Sequence, residues 1–211
     1  MKLQIAFDLP NLEFCLKTAK EVEPFCDRFE IGSILLYKYG IEAIKQFRKN
    51  FPQKELLAET QIVKKGKDIT ILCLEAGADL ITVMAGASKQ VIHNVCTNAG
   101  SRKKVMLDLA DTLQLGEASM EAKTLGIDAI LFNQSYDNKL ESVSMFDQWD
   151  IVKGNTKLPI FITSSINRNT IQKILQFNPD GIVIGKAIVE HDNPASEAEY
   201  FYNLINKKQQ F

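Results

Sequence analysis

An apolar run ends in an acid, an amide and two lysines in the stretch Leu56-Leu57-Ala58-Glu59-Thr60-Gln61-Ile62-Val63-Lys64-Lys65-Gly66, and a helical pattern follows it. Side chains alternate between the two faces of a strand, so we expect Glu59 and Gln61 to project on the same side. In a parallel barrel these side chains would lie at the C-terminal mouth, where such folds carry out their chemistry. Taken alone, the stretch also fits a solvated loop between a strand and a helix, and the rest of the chain decides between the two.

Seven other short apolar runs end in a comparable way, and each is followed by a helical pattern. The strands predicted in this way are Leu3–Asp8, Phe29–Gly32, Glu55–Thr60, Leu80–Met84, Lys104–Asp108, Ala129–Phe132, Pro159–Thr163 and Gly181–Ile184. Strands this short and this continuously apolar are typical of parallel sheets covered on both faces. An open, doubly wound sheet is the alternative, but no G-x-G-x-x-G follows the first strand. Strand–helix units repeating every ~25 residues predict an α/β fold, a (β/α)8 TIM barrel formed by a single domain over residues 1–211.

Local signals predict where several helices begin and end. Apolar residues at helical spacing predict one helix over Ile41–Phe51. Gly77 stands where a left-handed residue would end the helix after the third strand, and Ser88 can cap the helix after the fourth. Ser196, with Glu199 three residues later, has the spacing of a capping box and predicts the start of the last helix.

Composition limits the classes of function. The chain has 211 residues, of which 45% are hydrophobic and 24% charged, and its net charge is −1, so no overall field recruits nucleic acid or an acidic membrane. Its four cysteines, at positions 15, 26, 73 and 96, lack C-x-x-C spacing, which favours free thiols over disulfides or zinc ligands. Met1 leads directly into the first strand, and no apolar run approaches the roughly 18 residues of a membrane span. We therefore expect a cytoplasmic protein with no membrane or nucleic-acid partner.

Polar residues follow the strands all around the predicted barrel. Those expected to meet at the mouth are Asp8, Glu30, Glu59 with Gln61, Asp108, Asn133, Ser164-Ser165 and Gly185-Lys186. Four carboxylates facing one cavity repel one another unless a cation balances them. Mg²⁺ binds through one or two carboxylates and keeps waters that a substrate can displace, and Glu30 and Glu59, on neighbouring strands, are the natural pair. The alternative for these two acids is a salt bridge to Lys64 or Lys38.

The ends of strands seven and eight predict an anion site. In this fold a phosphate commonly lies there on backbone N–H groups and the N-terminus of a short helix. Gly185 would let the backbone approach the phosphate closely, Lys186 adds a positive charge, and Ser164-Ser165 ends the neighbouring strand. An ordinary tight turn with a solvated lysine is the alternative.

Several motifs, in their order and spacing, resemble the orotidine monophosphate decarboxylase superfamily. Within it the chain is most similar to the branch of 3-hexulose-6-phosphate synthase and 3-keto-L-gulonate-6-phosphate decarboxylase. The motifs are Leu3-Gln4-Ile5-Ala6-Phe7-Asp8-Leu9, Glu30-Ile31-Gly32-Ser33-Ile34-Leu35, Glu75-Ala76-Gly77-Ala78-Asp79-Leu80-Ile81-Thr82-Val83, Leu125-Gly126-Ile127-Asp128, Tyr136-Asp137 and Gly181-Ile182-Val183-Ile184-Gly185-Lys186-Ala187-Ile188.

The resemblance implies a Mg²⁺-stabilised enediolate of a pentulose phosphate, which the hexulose phosphate enzymes add to formaldehyde and which the decarboxylases generate by losing CO₂. It implies metal ligands at Glu30 and Glu59, a substrate-binding acid at Asp8 and a further catalytic acid at Asp108. It places the phosphate at Ser164-Ser165 and Gly185-Lys186, and it implies a homodimer. A cation at a developing enediolate stabilises charge that exists only along the reaction path.

The chain departs from the family pattern at its centre. The family motif D-x-K-x-x-D is replaced by Glu59-Thr60-Gln61-Ile62-Val63-Lys64, and the usual histidine after the sixth strand is Asn133. Gln61 lacks the lysine's charge and proton, and Lys64 reverses the charge of the second acid. Three functions remain open: a lyase of the hexulose phosphate synthase type in which Lys64 reaches back to supply the missing charge, a related decarboxylase or isomerase, and a barrel that binds a phosphorylated ligand or a protein partner without catalysis. We expect the lyase, with Asp8, Gln61, Lys64, Asp108 and Asn133 as its catalytic set.

Overall fold

A computed structural model describes residues 1–133 and 145–207, and in this part of the chain eight parallel strands close into a barrel. Each strand pairs with the next in sequence, and the eighth pairs with the first. The strands are β1 Lys2–Phe7, β2 Arg28–Ile31, β3 Glu55–Ile62, β4 Leu80–Met84, β5 Lys104–Asp108, β6 Ala129–Asn133, β7 Ile160–Thr163 and β8 Gly181–Ile184. The predicted (β/α)8 TIM barrel is confirmed.

Helices alternate with the strands. Those of the described residues are α1 Leu12–Val22, α2 Ser33–Tyr39, α3 Ile41–Asn50, α4 Gly66–Glu75, α5 Lys89–Ala99, α6 Leu115–Leu125, α7 Met145–Asn155, α8 Ile171–Gln176, α9 Lys186–Val189 and α10 Pro194–Lys207. A 3₁₀ turn at Glu23–Phe25 follows α1. Within residues 1–133 and 145–207, no helix is long and apolar enough to cross a membrane.

The main hydrophobic core lies between the strands and the helices. It contains a group of packed rings in which Phe7 and Phe51 both lie edge-on to Phe29, at centroid distances of 5.3 and 5.0 Å. Residues of the opposite strand faces fill the inside of the barrel and include Leu57, Met106 and Phe161. The continuous apolar runs of the sequence follow from burial on both faces.

At the closed, N-terminal end of the barrel, an aspartate just before one strand accepts a hydrogen bond from an N–H of the preceding strand, a pattern found four times in the described residues. The side chain of Asp79, just before β4, accepts a hydrogen bond from the N–H of Leu56 in β3 at 3.0 Å. The side chain of Asp128, just before β6, accepts in the same way from Val105 in β5 at 2.8 Å. The two remaining bonds are Leu3 to Asp27 and Ile160 to Asp180. Each carboxylate thus satisfies a strand N–H at the end of the fold that serves stability.

Two helix boundaries differ from the predictions. The predicted helix Ile41–Phe51 begins correctly, but α2 precedes it and is separated from it only by Gly40, whose φ of +58° breaks the helical path. The predicted capping box at the start of the last helix is wrong. Pro194 is the first residue of α10, and Asn193 accepts a hydrogen bond from the Ser196 N–H at 3.0 Å, so Ser196 already lies inside the helix.

The other local predictions are confirmed. Ser88 caps α5 by accepting from the Val91 N–H, and Gly77 follows α4 with a φ of +112°. All four cysteines are free; those at positions 15, 26 and 73 are buried, and the one at position 96 is half-buried. Burial raises the pKa of each thiol, to about 11 for Cys15 and about 12 for Cys26, so these thiols stay protonated.

Candidate active site

Four carboxylates meet at the C-terminal mouth of the barrel. Glu30, Glu59 and Asp108 lie near the ends of β2, β3 and β5, and Asp8 directly follows β1. Within residues 1–133 and 145–207, none of the four forms a salt bridge with a lysine, arginine or histidine. Glu30 and Glu59 therefore form no salt bridge with Lys64 or Lys38, the alternative given above for these two acids. The acids face one another instead.

The start of helix α2 holds two of these carboxylates. The N–H of Ser33 donates to Glu59 Oε2 at 2.8 Å, and the N–H of Ile34 donates to Asp8 Oδ1 at 2.7 Å. Gly32, the residue before the helix, makes this approach possible, because a Cβ there would lie 2.5 Å from the side chain of Asp8. The helix N-terminus, which carries partial positive charge, thus stabilises two of the four acids.

Burial raises the pKa of three of the acids, and repulsion from other acids of the mouth adds to the rise at two of them. Burial raises the pKa of Glu30 well above 4.5, and the negative charge of Glu59 adds to the rise. Burial, reinforced by repulsion from Asp8, raises the pKa of Glu59 to about 7. Burial likewise raises the pKa of Asp108 to about 6. Carboxyl groups with pKa values near neutrality can both accept and return protons, as general acid–base catalysis requires.

A bulge in β3 positions Gln61. The strand advances from Ala58 to Ile62 while its partner β4 advances only from Ile81 to Val83. Gln61 takes up part of the extra length in a left-handed conformation with a φ of +46°, which is uncommon for a residue other than glycine.

The neighbouring strand fixes this bulge. The Gln61 N–H donates to the Oγ1 of Thr82 at 2.9 Å, and the Thr60 hydroxyl donates to the Thr82 carbonyl at 2.7 Å. The Gln61 side chain then donates to Glu59 Oε1 at 3.3 Å. The two side chains therefore meet, but because of the bulge and not through strand alternation alone.

Asn133 lies beside Asp108. Its amide donates to Asp108 Oδ2 at 3.4 Å, while Oδ1 accepts from the N–H of Ala110 at 2.9 Å. Both bonds favour the ionised carboxylate and oppose the effect of burial on the pKa of Asp108. Asn133 is thus a hydrogen-bond donor at the mouth, where it orients an acid that can carry the proton.

The predicted anion-binding residues lie on adjacent strands. Ser164-Ser165 follows β7 and Gly185-Lys186 leads from β8 into α9, as the sequence predicts. A Cβ on Gly185 would make only an ordinary contact, 3.4 Å from the Ala6 carbonyl, so there is space for a side chain beside the Ala6 carbonyl. Lys186 is exposed and forms no ion pair within the described residues, which leaves its charge available to a ligand.

Comparison with known proteins identifies the family. The model of the orotidine 5'-phosphate decarboxylase / HUMPS family matches residues 1–201. The chain belongs to this family. A 3-hexulose-6-phosphate synthase of Bacillus subtilis (strain 168) is 30% identical over 207 residues, which cover 97% of this chain and 99% of the relative.

Solved structures agree with this assignment. The 3-hexulose-6-phosphate synthase of Salmonella typhimurium superposes with a TM-score of 0.90 at 25% identity, over 98% of this chain and 99% of that one. KGPDC from Streptococcus mutans superposes with a TM-score of 0.85 at 20% identity, over 98% of this chain and 97% of that one, and shows the shared fold. The predicted resemblance to the hexulose phosphate synthase branch is confirmed.

The residues that depart from the family pattern differ in their surroundings. Gln61 reaches Glu59 with a neutral amide, whereas Lys64 is exposed and has no partner in the described residues. Arg168, in the loop after β7, does not provide a free positive charge, because it binds both carboxylate oxygens of Glu197. The family motif at Tyr136-Asp137 lies outside the described residues.

The donor atoms at the mouth suit one kind of metal ion. Within residues 1–133 and 145–207, no group of three or more His, Cys, Asp or Glu side chains is arranged to hold a metal ion. Mg²⁺ does not need such a group, because it is bound by one or two carboxylates and completes its shell with water or substrate oxygens. Glu30 and Glu59 supply two mutually repelling carboxylates, so the residues present fit a hard divalent cation.

Three site residues were not predicted from the sequence. Thr82 fixes the bulge in β3, Gly32 makes room for Asp8, and Gln4 donates a hydrogen bond to Glu30 from inside the barrel. Gln4 and Thr82 could have been noticed as polar residues at interior positions of apolar strands. The role of Gly32 depends on a contact between two strand ends that no local pattern shows.

Proposed function

We propose that the chain is a sugar-phosphate lyase of the hexulose phosphate synthase type, acting through the enediolate of a pentulose phosphate. The observation that carries the proposal is the group of four carboxylates at the mouth, two of which have pKa values of about 6 and about 7. The full-length similarity to 3-hexulose-6-phosphate synthases supports the same reaction class.

In this proposal Glu30 and Glu59 would hold Mg²⁺, which would supply positive charge to offset the negative charge that develops on the substrate. The Asp108 carboxylate removes the proton from C1 of the pentulose phosphate, and Asn133 keeps the carboxylate oriented. The enediolate carbon then forms a bond to the carbonyl carbon of formaldehyde. The new alkoxide takes a proton from the Asp108 carboxylic acid, which balances the reaction and restores the base.

The remaining residues bind and orient the substrate. Asp8, fixed by the Ile34 N–H, faces the substrate hydroxyls, and Gln61 hydrogen-bonds near the reacting oxygens in place of a charged lysine. Ser164-Ser165 and Gly185-Lys186 bind the phosphate. Lys64 extends its flexible side chain over the mouth when substrate is bound and supplies part of the missing charge.

A second function is favoured by one observation. Gln61 stands where the family has a lysine, and a neutral amide 3.3 Å from Glu59 can neither transfer a proton nor neutralise the carboxylate. A barrel with this site can bind a pentulose phosphate without converting it. Such a protein would bind a small phosphorylated sugar without turnover.

Proton exchange separates the two functions. D-ribulose 5-phosphate is incubated in D₂O with Mg²⁺ and the protein, and loss of the C1 proton signal is followed by NMR. Exchange by the wild-type protein that disappears in Asp108→Asn supports the lyase. Exchange that appears only in Gln61→Lys supports the binding protein. If neither protein exchanges and the sugar phosphate leaves the melting temperature unchanged, both functions are refuted, because a ligand at 100 times its Kd adds about 2.7 kcal/mol to the free energy of unfolding.

We also propose that the protein is a cytoplasmic homodimer. Apolar side chains are exposed on the segments that follow β2 and β3, among them Tyr37 of α2, which is 85% exposed, and Val63 just after β3, which is 50% exposed. A second copy of the chain covering this face would bury them. The free cysteines are compatible with a reducing compartment. Light scattering on the purified protein, compared with Tyr37→Asp, tests the dimer; a monomeric wild-type protein refutes it.

A further inference from the structure

A column of polar residues runs up the inside of the barrel towards the mouth. Gln4 of β1 and Arg28 and Glu30 of β2 are all buried, with relative exposures of 0%, 3% and 6%. The interior around them is apolar and includes Leu57 and Phe161. Burying a polar group in such surroundings lowers the stability of the fold unless the group is hydrogen-bonded. The hydrogen bonds within the column therefore determine how its members are oriented.

Arg28 fixes the orientation of the Gln4 amide. Its Nη1 donates to Gln4 Oε1 at 2.9 Å. A guanidinium has no acceptor, so the amide must present its oxygen to Arg28 and its nitrogen to the opposite side. On that side Gln4 Nε2 donates to Glu30 Oε2.

Arg28 is itself held in place from several directions. Its Nε and Nη2 both lie 2.8 Å from Glu55 Oε2, at the closed end of the barrel. The guanidinium carbon lies 4.9 Å from the centre of the Phe161 ring. Gly181 leaves room for that ring, since a Cβ there would lie 2.3 Å from it. The donor that faces Gln4 therefore has little freedom to turn away.

Glu30 is consequently held by one of its two oxygens. Oε2 is bound from below by Gln4, whereas Oε1 accepts no hydrogen bond from any described residue. We propose that Arg28 and Gln4 are positioning residues, which hold Glu30 Oε2 inside the barrel so that Oε1 is presented to a divalent cation at the mouth. This inference rests on the cation site of the proposed function. In it, hydrogen bonds that run from Glu55 at the closed end of the barrel through Arg28 and Gln4 hold Glu30 in place.

The test measures cation affinity without substrate. Mn²⁺ binding to the full-length protein is followed by the EPR signal of free Mn²⁺. The single variants are Glu30→Gln, Gln4→Leu and Arg28→Met, and Gln4→Leu/Arg28→Met completes a double-mutant cycle. Arg48→Met is the matched control, because Arg48 also pairs with a carboxylate, that of Asp79, but does not contact the column.

We expect Gln4→Leu to weaken Mn²⁺ binding about 10- to 100-fold, the usual effect of removing a partner of a metal ligand. Arg28→Met should weaken binding about 10-fold, and it should have no further effect in the Gln4→Leu background, because Arg28 acts through the Gln4 amide. Arg48→Met should leave the Kd for Mn²⁺ unchanged. An equal loss from Arg28→Met with and without Gln4 would show that Arg28 acts by its charge alone and would overturn the inference.

A second measurement needs no destabilising substitution. In the ¹⁵N-labelled wild-type protein, the side-chain NH₂ signals of Gln4 should shift when Mg²⁺ is added; unchanged signals would overturn the inference. Two patterns of failure are distinct. If the wild-type protein binds no Mn²⁺, the proposed cation site fails and this inference fails with it. If binding is lost in Glu30→Gln but unchanged in Gln4→Leu, the cation site stands and only the positioning role is refuted.

Discussion

Replacing Glu59 by glutamine is expected to stabilise the metal-free protein. Glu59 is largely buried, faces Asp8 and Asp108, and has a pKa of about 7 in the folded protein against an ordinary value of 4.5. Glutamine has nearly the same shape and cannot ionise. Its carbonyl oxygen can still accept the hydrogen bond that the Ser33 N–H donates at 2.8 Å. The Gln61 amide can turn to present its own oxygen to the new NH₂ group.

The size and sign of the effect follow from the two pKa values. Below the ordinary value of 4.5 the carboxyl is protonated in both states and contributes nothing. As the pH rises towards 7, the unfolded chain releases its proton while the folded protein retains it, so the folded state loses relative stability. A difference of about 2.5 pKa units at about 1.36 kcal/mol each gives about 3 kcal/mol, and the loss levels off above pH 7. Glu59→Gln escapes this loss.

Urea unfolding in EDTA at pH 5 and pH 8 provides the assay. At pH 8 the variant should be more stable than the wild-type protein by about 3 kcal/mol, or about 6–12 °C in Tm. At pH 5 most of this difference should disappear. The control Glu13→Gln replaces an exposed acid of α1 and should change the stability equally little at both pH values. A Glu59→Gln protein no more stable than wild type at pH 8 would refute the reasoning that burial and the neighbouring acids disfavour the ionised form of Glu59.

Three further predictions concern the fold. Asp128→Ala removes the acceptor of the Val105 N–H and should lower the free energy of unfolding, measured in urea, by about 1–3 kcal/mol. Asp128→Asn retains an acceptor and should lose less. An equal loss from both variants would show that the hydrogen bond to Val105 is not the cause. Gly181→Ala should lower the free energy of unfolding by about 1–3 kcal/mol, because the new Cβ would lie 2.3 Å from the Phe161 ring. An unchanged free energy of unfolding would show that the ring moves freely. Gly154 lies inside α7, and a Cβ added there would have no atom within 4 Å. Gly154→Ala should therefore add ~0.5–1 kcal/mol to the free energy of unfolding and raise the melting temperature. A lowered melting temperature would contradict this prediction.

The strands were predictable because their signal is local and repeated. Leu80–Met84, Lys104–Asp108 and Gly181–Ile184 were predicted with the bounds that the structure has, since burial on both faces requires a continuous apolar run. The acids after the strands followed from the same logic, because the C-terminal ends of parallel strands in a barrel share one mouth.

The bulge in β3 escaped prediction because it depends on a contact between two strands, whereas the start of the last helix was mistaken for another local signal. The bulge at Gln61 is held by Thr82 of the next strand, and no pattern within β3 reveals it. The last helix was misplaced because Ser196 and Glu199 have the spacing of a capping box, whereas Asn193 and Pro194 supply the actual start three and two residues before Ser196.

Gln61 brings a neutral amide, and no positive charge, to Glu59 at the mouth of the barrel. Within the described residues the four mouth acids have no salt-bridge partner, and the buried cation nearest to them along the polar column, Arg28, is neutralised by Glu55. Protons or a bound cation must therefore offset the negative charge at the mouth. Protons do so at low pH, and at the proposed site Mg²⁺ would do so at high pH, so the stabilisation by Mg²⁺ should grow as the pH rises through the pKa of Glu59, about 7. In the proposed cation site, Mg²⁺ that binds only the folded protein would return the stability that repulsion among the ionised acids removes.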